Sequence, residues 1–206
     1  MSDLETETRR VAAASAGFDG DEATARRLTG DAAPIVRAAA FASLLRLGAF
    51  TRADLATATG DPSPQVRAAI AELASGLGAG HDPAAFRDLL HDSDAVVVEA
   101  ACFATGEVGD LAAVGALIEI ATSHADPLCR EAAVAALGAL GSPEGKAAVL
   151  AALGDRPEIR RRAVVALTAF EGPDVVEALR GRLEDRDWQV RQAAEDVLGI
   201  SAREER

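Results

Sequence analysis

Small apolar residues recur three and four positions apart along most of the chain, and one stretch of this pattern is copied several times. In Asp61-Pro-Ser-Pro-Gln-Val-Arg-Ala-Ala69, an aspartate and two prolines precede an apolar residue, an arginine and two alanines. Aligned on that apolar residue, the copies fall 30, 32, 31, 30 and 31 residues apart, at Val36, Val66, Val98, Cys129, Ile159 and Val190. Helical periodicity that returns about every thirty residues predicts a solenoid of stacked helix pairs.

Each copy is predicted to open a first helix that is followed by a second helix. Proline two residues before the aligned position suits a first helical turn, and the upstream aspartate is a good acceptor for the first amides. Val36, Ala40 and Leu44 then share one face. Thr51 and Asp54 resemble a capping box that starts a second helix. The glycines predicted to end first helices in the left-handed conformation are Gly48, Gly78, Gly109, Gly141 and Gly172.

The pattern therefore predicts an all-α protein, and no strand pattern competes with it. We expect one domain, a right-handed α-solenoid over residues 1–206, because each unit needs its neighbours to bury its apolar face. Its expected parts are an atypical N-terminal cap over 1–29, repeats over 30–59, 60–90, 91–122, 123–153 and 154–183, and a C-terminal half-repeat over 184–206.

These openings resemble the HEAT-repeat family, in particular its short bacterial and archaeal type, which is similar to the HEAT-like repeats of phycobilin lyases. The matching features are the Asp…Pro-x-Val-Arg-x-Ala-Ala openings and the Leu-Gly endings at Leu47-Gly48, Leu137-Gly138 and Leu140-Gly141. The resemblance covers roughly residues 30–200. It implies a solenoid with first helices on the convex side and second helices on the concave side, acting as a protein-binding scaffold.

The same resemblance implies that recurring aspartates and arginines form a ladder between neighbouring repeats. A guanidinium can satisfy a carboxylate and loop carbonyls at once, and long charged side chains are buried only when paired. A phosphate-binding row is the alternative interpretation. The ladder residues expected are Asp31, Arg37, Asp61, Arg67, Asp126, Arg130, Asp155, Arg160, Asp185 and Arg191.

The middle of the chain is strongly acidic. Glu99 follows the aligned residue Val98, where other repeats have arginine, and residues 81–126 contain nine acids against Arg87 alone, a net charge of −8. One interpretation is a solvated face. The other is a docking patch for a basic partner, with Asp94, Glu99, Glu107 and Asp110 as its members.

Polar positions on the second helices form a second candidate surface for a protein or peptide partner. These positions are Arg52, Arg87, Asp88, Glu119, Glu144, Lys146, Glu177, Arg180 and Arg182. Trp188 takes the place that proline holds in earlier repeats, and we expect it to pack over the end of the array, with an exposed binding anchor as the alternative.

The amino-acid composition narrows the range of functions that can be expected. The net charge of −12 and the aromatic content of 3% argue against binding to nucleic acid or to an anionic membrane. The acidic N-terminus has no basic segment or long apolar run, so no signal peptide or transmembrane span is expected, and the cytoplasm is the default location. Cys102 and Cys129 occupy apolar positions and are expected to be buried thiols.

No arrangement of residues predicts catalysis, a cofactor or a metal ion. His81, His91 and His124 do not repeat with the unit and are interpreted as loop residues. The chain has no His-Glu dipeptide, which argues against the di-iron chemistry of deoxyhypusine hydroxylases. We therefore expect a non-catalytic scaffold, as a monomer or weakly self-associating. Alternatives are an enzyme or enzyme subunit of the bilin lyase type and a structural module of a larger assembly.

Overall fold

The computed structural model describes residues 3–73 and 84–199, and helices are the only regular elements in these two ranges. First helices are α1 (Asp3–Asp19), α3 (Pro34–Arg46), α5 (Pro64–Glu72), α7 (Ala95–Val108), α9 (Pro127–Leu140), α11 (Pro157–Ala166) and α13 (Trp188–Leu198). Second helices are α2 (Glu22–Leu28), α4 (Arg52–Thr59), α6 (Ala84–Arg87), α8 (Val114–Ser123), α10 (Lys146–Ala152) and α12 (Pro173–Gly181). Short 3₁₀ turns cover Asp88–His91, Leu111–Ala113, Pro143–Gly145, Leu167–Ala169 and Arg182–Glu184.

The chain divides into two compact units, Met1–Ala104 and Thr105–Arg206. In the first unit, α1 packs on α3 and α3 packs on α5, while α2 and α4 lie against these first helices. The core there combines alanines with a few large side chains. Phe41 and Phe50 meet edge to face with ring centroids 6.2 Å apart, and Leu44 and Phe86 are almost completely buried.

In the second unit, α9 packs on α11 and α11 packs on α13, and α10 lies against α8, α9 and α11. Small residues let the first helices approach closely. A Cβ atom built on Gly138 would lie 2.8 Å from the Cα of Ala166, and one on Gly106 would lie 3.2 Å from the Cα of Ala136. In each pair the glycine is the twelfth residue of its helix and the alanine is the tenth residue of the next first helix, so the two close approaches occur at the same place in consecutive repeats.

The helix starts correct the repeat alignment at one point. The first residues of α3, α5, α7, α9, α11 and α13 are spaced by 30, 31, 32, 30 and 31 residues. The residue of α7 that corresponds to Val36 is therefore Val97, and the arginine position is occupied by Val98, which is 2% exposed. The expectation that Glu99 replaces the arginine was wrong by one residue, because Val96, Val97 and Val98 are identical and hide the register.

The glycines that were predicted to end first helices have two kinds of backbone conformation. Gly48, Gly109 and Gly141 have φ angles of 67°, 72° and 59°, the left-handed conformation expected at the end of a first helix. Gly172 differs, because it precedes α12 as its N-cap with φ 133° and ψ 159°. Gly78 lies outside the described residues.

Candidate functional site

A row of bidentate ion pairs joins consecutive repeats inside each unit. An arginine from a first helix donates through Nε and Nη2 to both oxygens of an aspartate that precedes the next first helix. The shortest N–O distances are 2.7 to 2.8 Å. The pairs are Arg9 with Asp31, Arg37 with Asp61, Arg67 with Asp92, Arg130 with Asp155, and Arg160 with Asp185.

The arginine position explains this geometry. Arg37, Arg67, Arg130 and Arg160 are each the fourth residue of their helix. From there the third nitrogen, Nη1, reaches back to the loop of the same repeat, as Arg37 does to the carbonyl of Asp31 at 2.8 Å. One planar guanidinium thus joins its own loop to the carboxylate of the next repeat.

Each ladder aspartate also organises the start of the helix that follows it. Asp31, Asp61, Asp92 and Asp185 accept the backbone N–H two residues further on, at 2.8 to 2.9 Å. The loop after Asp155 is one residue shorter, and its carboxylate accepts the N–H of Arg156 instead. The helix start and the contact between repeats therefore depend on the same carboxylate.

Hydrogen bonds keep the ladder carboxylates ionised although burial opposes their charge. Arg160 is 4% exposed and Asp185 is 8% exposed, and the hydrogen bond from Arg160 holds the pKa of Asp185 below its ordinary value. Burial would raise the pKa of Asp61, but hydrogen bonds from Arg37 and from the Ser63 amide outweigh it and lower that pKa. The carboxylates therefore stay ionised at neutral pH, and they occupy the guanidinium nitrogens that a phosphate row would need.

The structure differs from the expected ladder at three points. Asp126 instead accepts the N–H of Leu128 and caps α9. His124 takes the place of the ladder aspartate, since its carbonyl accepts Arg130 Nη1 at 2.8 Å and its Nδ1 accepts the N–H of Asp126. Arg191 was expected in the ladder, and the contact described for it is within its own repeat, where Nη1 donates to the carbonyl of Asp185.

Sequence reasoning also missed ladder members. Asp92 was not assigned to the ladder although it lies 31 residues after Asp61, and Arg9 was hidden because α1 carries no copy of the repeated opening.

Two further ion pairs join second helices. Arg26 of α2 reaches Asp54 of α4, and Lys146 of α10 reaches Asp174 of α12, both at 2.8 Å. Lys146 also donates to the carbonyl of Glu171. Lys146 was expected to contact a partner, and the structure instead places its ammonium between the start of α12 and the loop before it.

The other predicted contacts on the second helices fall into two groups. Arg182 is partly held within the repeat stack, because its Nη1 donates to the carbonyl of Leu153 at 3.1 Å and lies 3.4 Å from Asp185. Arg87 is half-buried on α6. The exposed members are Arg52, Asp88, Glu119, Glu144, Glu177 and Arg180.

The central acidic residues do not all have the same surroundings. Asp110 is 6% exposed and accepts the N–H of Ala112, so it offers little surface to the partner that it was predicted to contact. Asp94 caps α7 by accepting the N–H of Val96. Glu99 is half-buried and Glu107 is exposed. His91 is exposed, and His81 and Asp82 lie outside the described residues.

Trp188 is exposed, against expectation. It is the first residue of α13, and 63% of its surface is accessible, whereas Val190 two residues later is buried. Trp188 lies about 200° around the helix from Val190, which faces the core, so the side chain that replaces proline there points outward. Cys102 and Cys129 are both buried, as expected of apolar positions.

Among residues 3–73 and 84–199, no group of three or more His, Cys, Asp or Glu side chains is placed to hold a metal ion. Within the same ranges, no helix has both the length and the apolar character to cross a membrane.

Two stretches, residues 83–157 and 147–206, match the family model of HEAT repeats. Together they cover residues 83–206, which is more than half of the chain. The chain therefore belongs to the HEAT-repeat family, as the repeated openings predicted. The narrower resemblance to the repeats of phycobilin lyases stays a prediction. None of the curated proteins matches the sequence.

Solved structures agree on the fold. An engineered protein aligns with a TM-score of 0.60 at 19% identity, over 97% of this chain and 98% of that chain. A designed armadillo repeat protein in complex with the peptide (KR)4 aligns with a TM-score of 0.58 at 17% identity, over 93% and 97%. These likenesses confirm the predicted all-α solenoid class.

Human deoxyhypusine hydroxylase in complex with glycerol also aligns, at 21% identity over 95% of this chain and 78% of that chain. Its TM-score of 0.49 is too low to add to the fold or to suggest an activity.

Proposed function

We propose that this HEAT-repeat chain is a non-catalytic scaffold that binds a basic protein or peptide segment along its second helices. The observation that supports this proposal is the division of charge in the unit that begins at Thr105. The recurring arginines and aspartates are used between repeats, whereas Glu119, Glu144 and Glu177 are exposed outside the ion pairs described above. They lie on α8, on the turn before α10, and on α12. We call these three residues the glutamate ridge.

Exposed carboxylates in successive repeats would attract a basic segment at long range and select it by register, because rim charges act mainly on association and specificity. The designed armadillo repeat protein described above holds the peptide (KR)4, so a stack of helices of this kind can accommodate alternating basic residues. The ridge is preferred to the central acidic residues because Asp110 is buried and Asp94 is engaged in capping α7.

The test measures fluorescence anisotropy of labelled (KR)4 peptide at low and moderate salt. We expect binding that weakens with salt, and the triple variant E119K/E144K/E177K should weaken it about tenfold or more, equivalent to roughly 1.4 kcal/mol. The matched control E107K/E158K/D196K makes the same change in net charge on the first helices α7, α11 and α13. It should retain most of the affinity.

Equal weakening by both variants would show that net charge, rather than the ridge, attracts the peptide. Failure of the unmodified chain to bind would overturn the choice of a basic partner. The alternative of a bilin-lyase-like enzyme is tested with the same preparation, since a bound chromophore would appear in its absorbance spectrum.

A further inference from the structure

Arg182 occupies a place that holds a buried apolar residue in the earlier repeats. It lies three residues before the ladder aspartate Asp185, in the turn that follows α12. The corresponding residues of the earlier repeats, all at most 6% exposed, are Leu28, Ala58, Leu89, Ala121 and Ala152. Because long charged side chains are buried only when they are paired, an arginine at this place needs partners for its donors.

The guanidinium of Arg182 is only partly satisfied. Its Nη1 donates to the carbonyl of Leu153 at 3.1 Å and lies 3.4 Å from the Asp185 carboxylate. Its Nε is buried and has no hydrogen-bond partner among the described residues. Nε and Nη2 form the edge with which a ladder arginine such as Arg37 holds both oxygens of an aspartate. A buried donor without a partner is unfavourable, so an acceptor at this edge would stabilise the chain.

Arg182 also lines an open cavity of about 360 Å³. Among residues 84–199, the charged side chains around this cavity are three arginines and two acids, a net charge of +1. Arg160 and Asp185 neutralise each other in the ladder, which leaves Arg182 and the exposed Arg186 against the exposed Glu184. The lining is therefore locally positive in a chain whose net charge is −12.

We propose that Arg182 and Arg186 hold a phosphate group in this cavity. Two guanidinium groups from different residues suit the several oxygens of a phosphate better than the two coplanar oxygens of a carboxylate. Arg182 contributes its Nε–Nη2 edge, which a small adjustment of its side chain, 31% exposed, turns to the cavity. Arg186 adds the second cation. Neither residue belongs to the glutamate ridge, so this proposal and the proposed function are tested separately.

Isothermal titration calorimetry with inorganic phosphate in a buffer of low ionic strength tests the site. Arg182→Leu is the main variant, and it should fold because leucine stands at this place in two earlier repeats, as Leu28 and Leu89. It should weaken phosphate binding about tenfold or more, since a charge-assisted hydrogen bond is lost. Arg186→Gln should weaken binding as well. The matched control Arg52→Gln removes the same charge from α4 and should retain the affinity.

Two further probes define the class of ligand. Acetate should bind more weakly than phosphate, and equal affinity would overturn the choice of a phosphate group. Tighter binding of phenyl phosphate than of inorganic phosphate would assign the site to a phosphate ester, whereas equal or weaker binding would assign it to the free ion. No phosphate binding by the unmodified chain, or binding that Arg182→Leu and Arg186→Gln leave intact, would refute the proposal. Circular dichroism checks that the variants are folded.

Discussion

Replacing Arg160 by alanine removes the most buried guanidinium of the ladder, and we expect the free energy of unfolding to fall by about 3 to 5 kcal/mol. The side chains of Arg160 and Asp185 are each 4% exposed and approach to 2.7 Å. Without the arginine, Asp185 stays buried with the Asp187 amide and a contact of 3.4 Å to Arg182. These remaining donors compensate in part, so the lower end of the range is expected.

The matched control is Arg130→Ala, at the same position of α9. Arg130 makes the same bidentate contact with Asp155, but the two side chains are 16% and 23% exposed. Water can therefore reach the carboxylate that is left, and the expected loss is about 1 to 2 kcal/mol. Urea unfolding followed by far-UV circular dichroism gives both values.

The comparison of these two variants decides whether burial sets the strength of each pair. If Arg130→Ala destabilises the chain as much as Arg160→Ala, the explanation fails. The double variant Arg160→Ala with Asp185→Ala completes a double-mutant cycle. It should be less destabilised than the sum of the single variants, because removing both charges leaves no uncompensated ion.

Three further results are expected. Gly138→Ala should lower the free energy of unfolding by about 1 to 3 kcal/mol, since its Cβ would lie 2.8 Å from the Cα of Ala166 and α9 and α11 would have to separate. A thermal melt measures the change in stability, and an unchanged midpoint would contradict the close packing. The ladder aspartates should contribute their full share to the free energy of unfolding above about pH 4, and this contribution should decline as the pH falls further. The reason is that their pKa values are lowered in the folded state, so acid unfolding requires them to take up protons. Urea titrations at several pH values should show this decline, and a flat profile would be inconsistent with it. Lys146→Ala should leave the urea midpoint almost unchanged, because Asp174 is half-exposed and water replaces the ammonium. A large shift of the midpoint would mean that this ion pair stabilises the fold more than an exposed pair should.

The fold could be predicted because the sequence pattern of one helix pair recurs several times along the chain. A period near thirty and alanines at helical spacing identify helix pairs that must stack, since no single pair can bury its own apolar face. Arg37 and Asp61 could be assigned to a ladder because both residue types return with the period and the openings resemble HEAT repeats, a resemblance that implies such a ladder; long charged side chains also need partners when buried.

Other features could not be predicted because they occur once or depend on where a helix starts. The pair of Arg26 with Asp54 needs an aspartate at a position where no other repeat has one, so periodicity gives no sign of it. Asp126 looks like a ladder residue in the sequence, yet it lies two residues too late and caps α9 instead. Trp188 is of a residue type that is often buried, but it lies on the side of α13 opposite the buried Val190.

The ladder also has a consequence for how such a gene can change length. Each pair straddles a repeat boundary, with the arginine on one side and the aspartate on the other, so neither partner belongs to a self-sufficient module. Recombination that loses or copies a segment of one full period, for example 155–184, would bring Arg130 to Asp185 and restore an equivalent pair. A deletion whose length differs from one repeat by a few residues would leave a buried arginine and a buried aspartate unpaired. Inherited length differences among close relatives should therefore come in steps of one repeat.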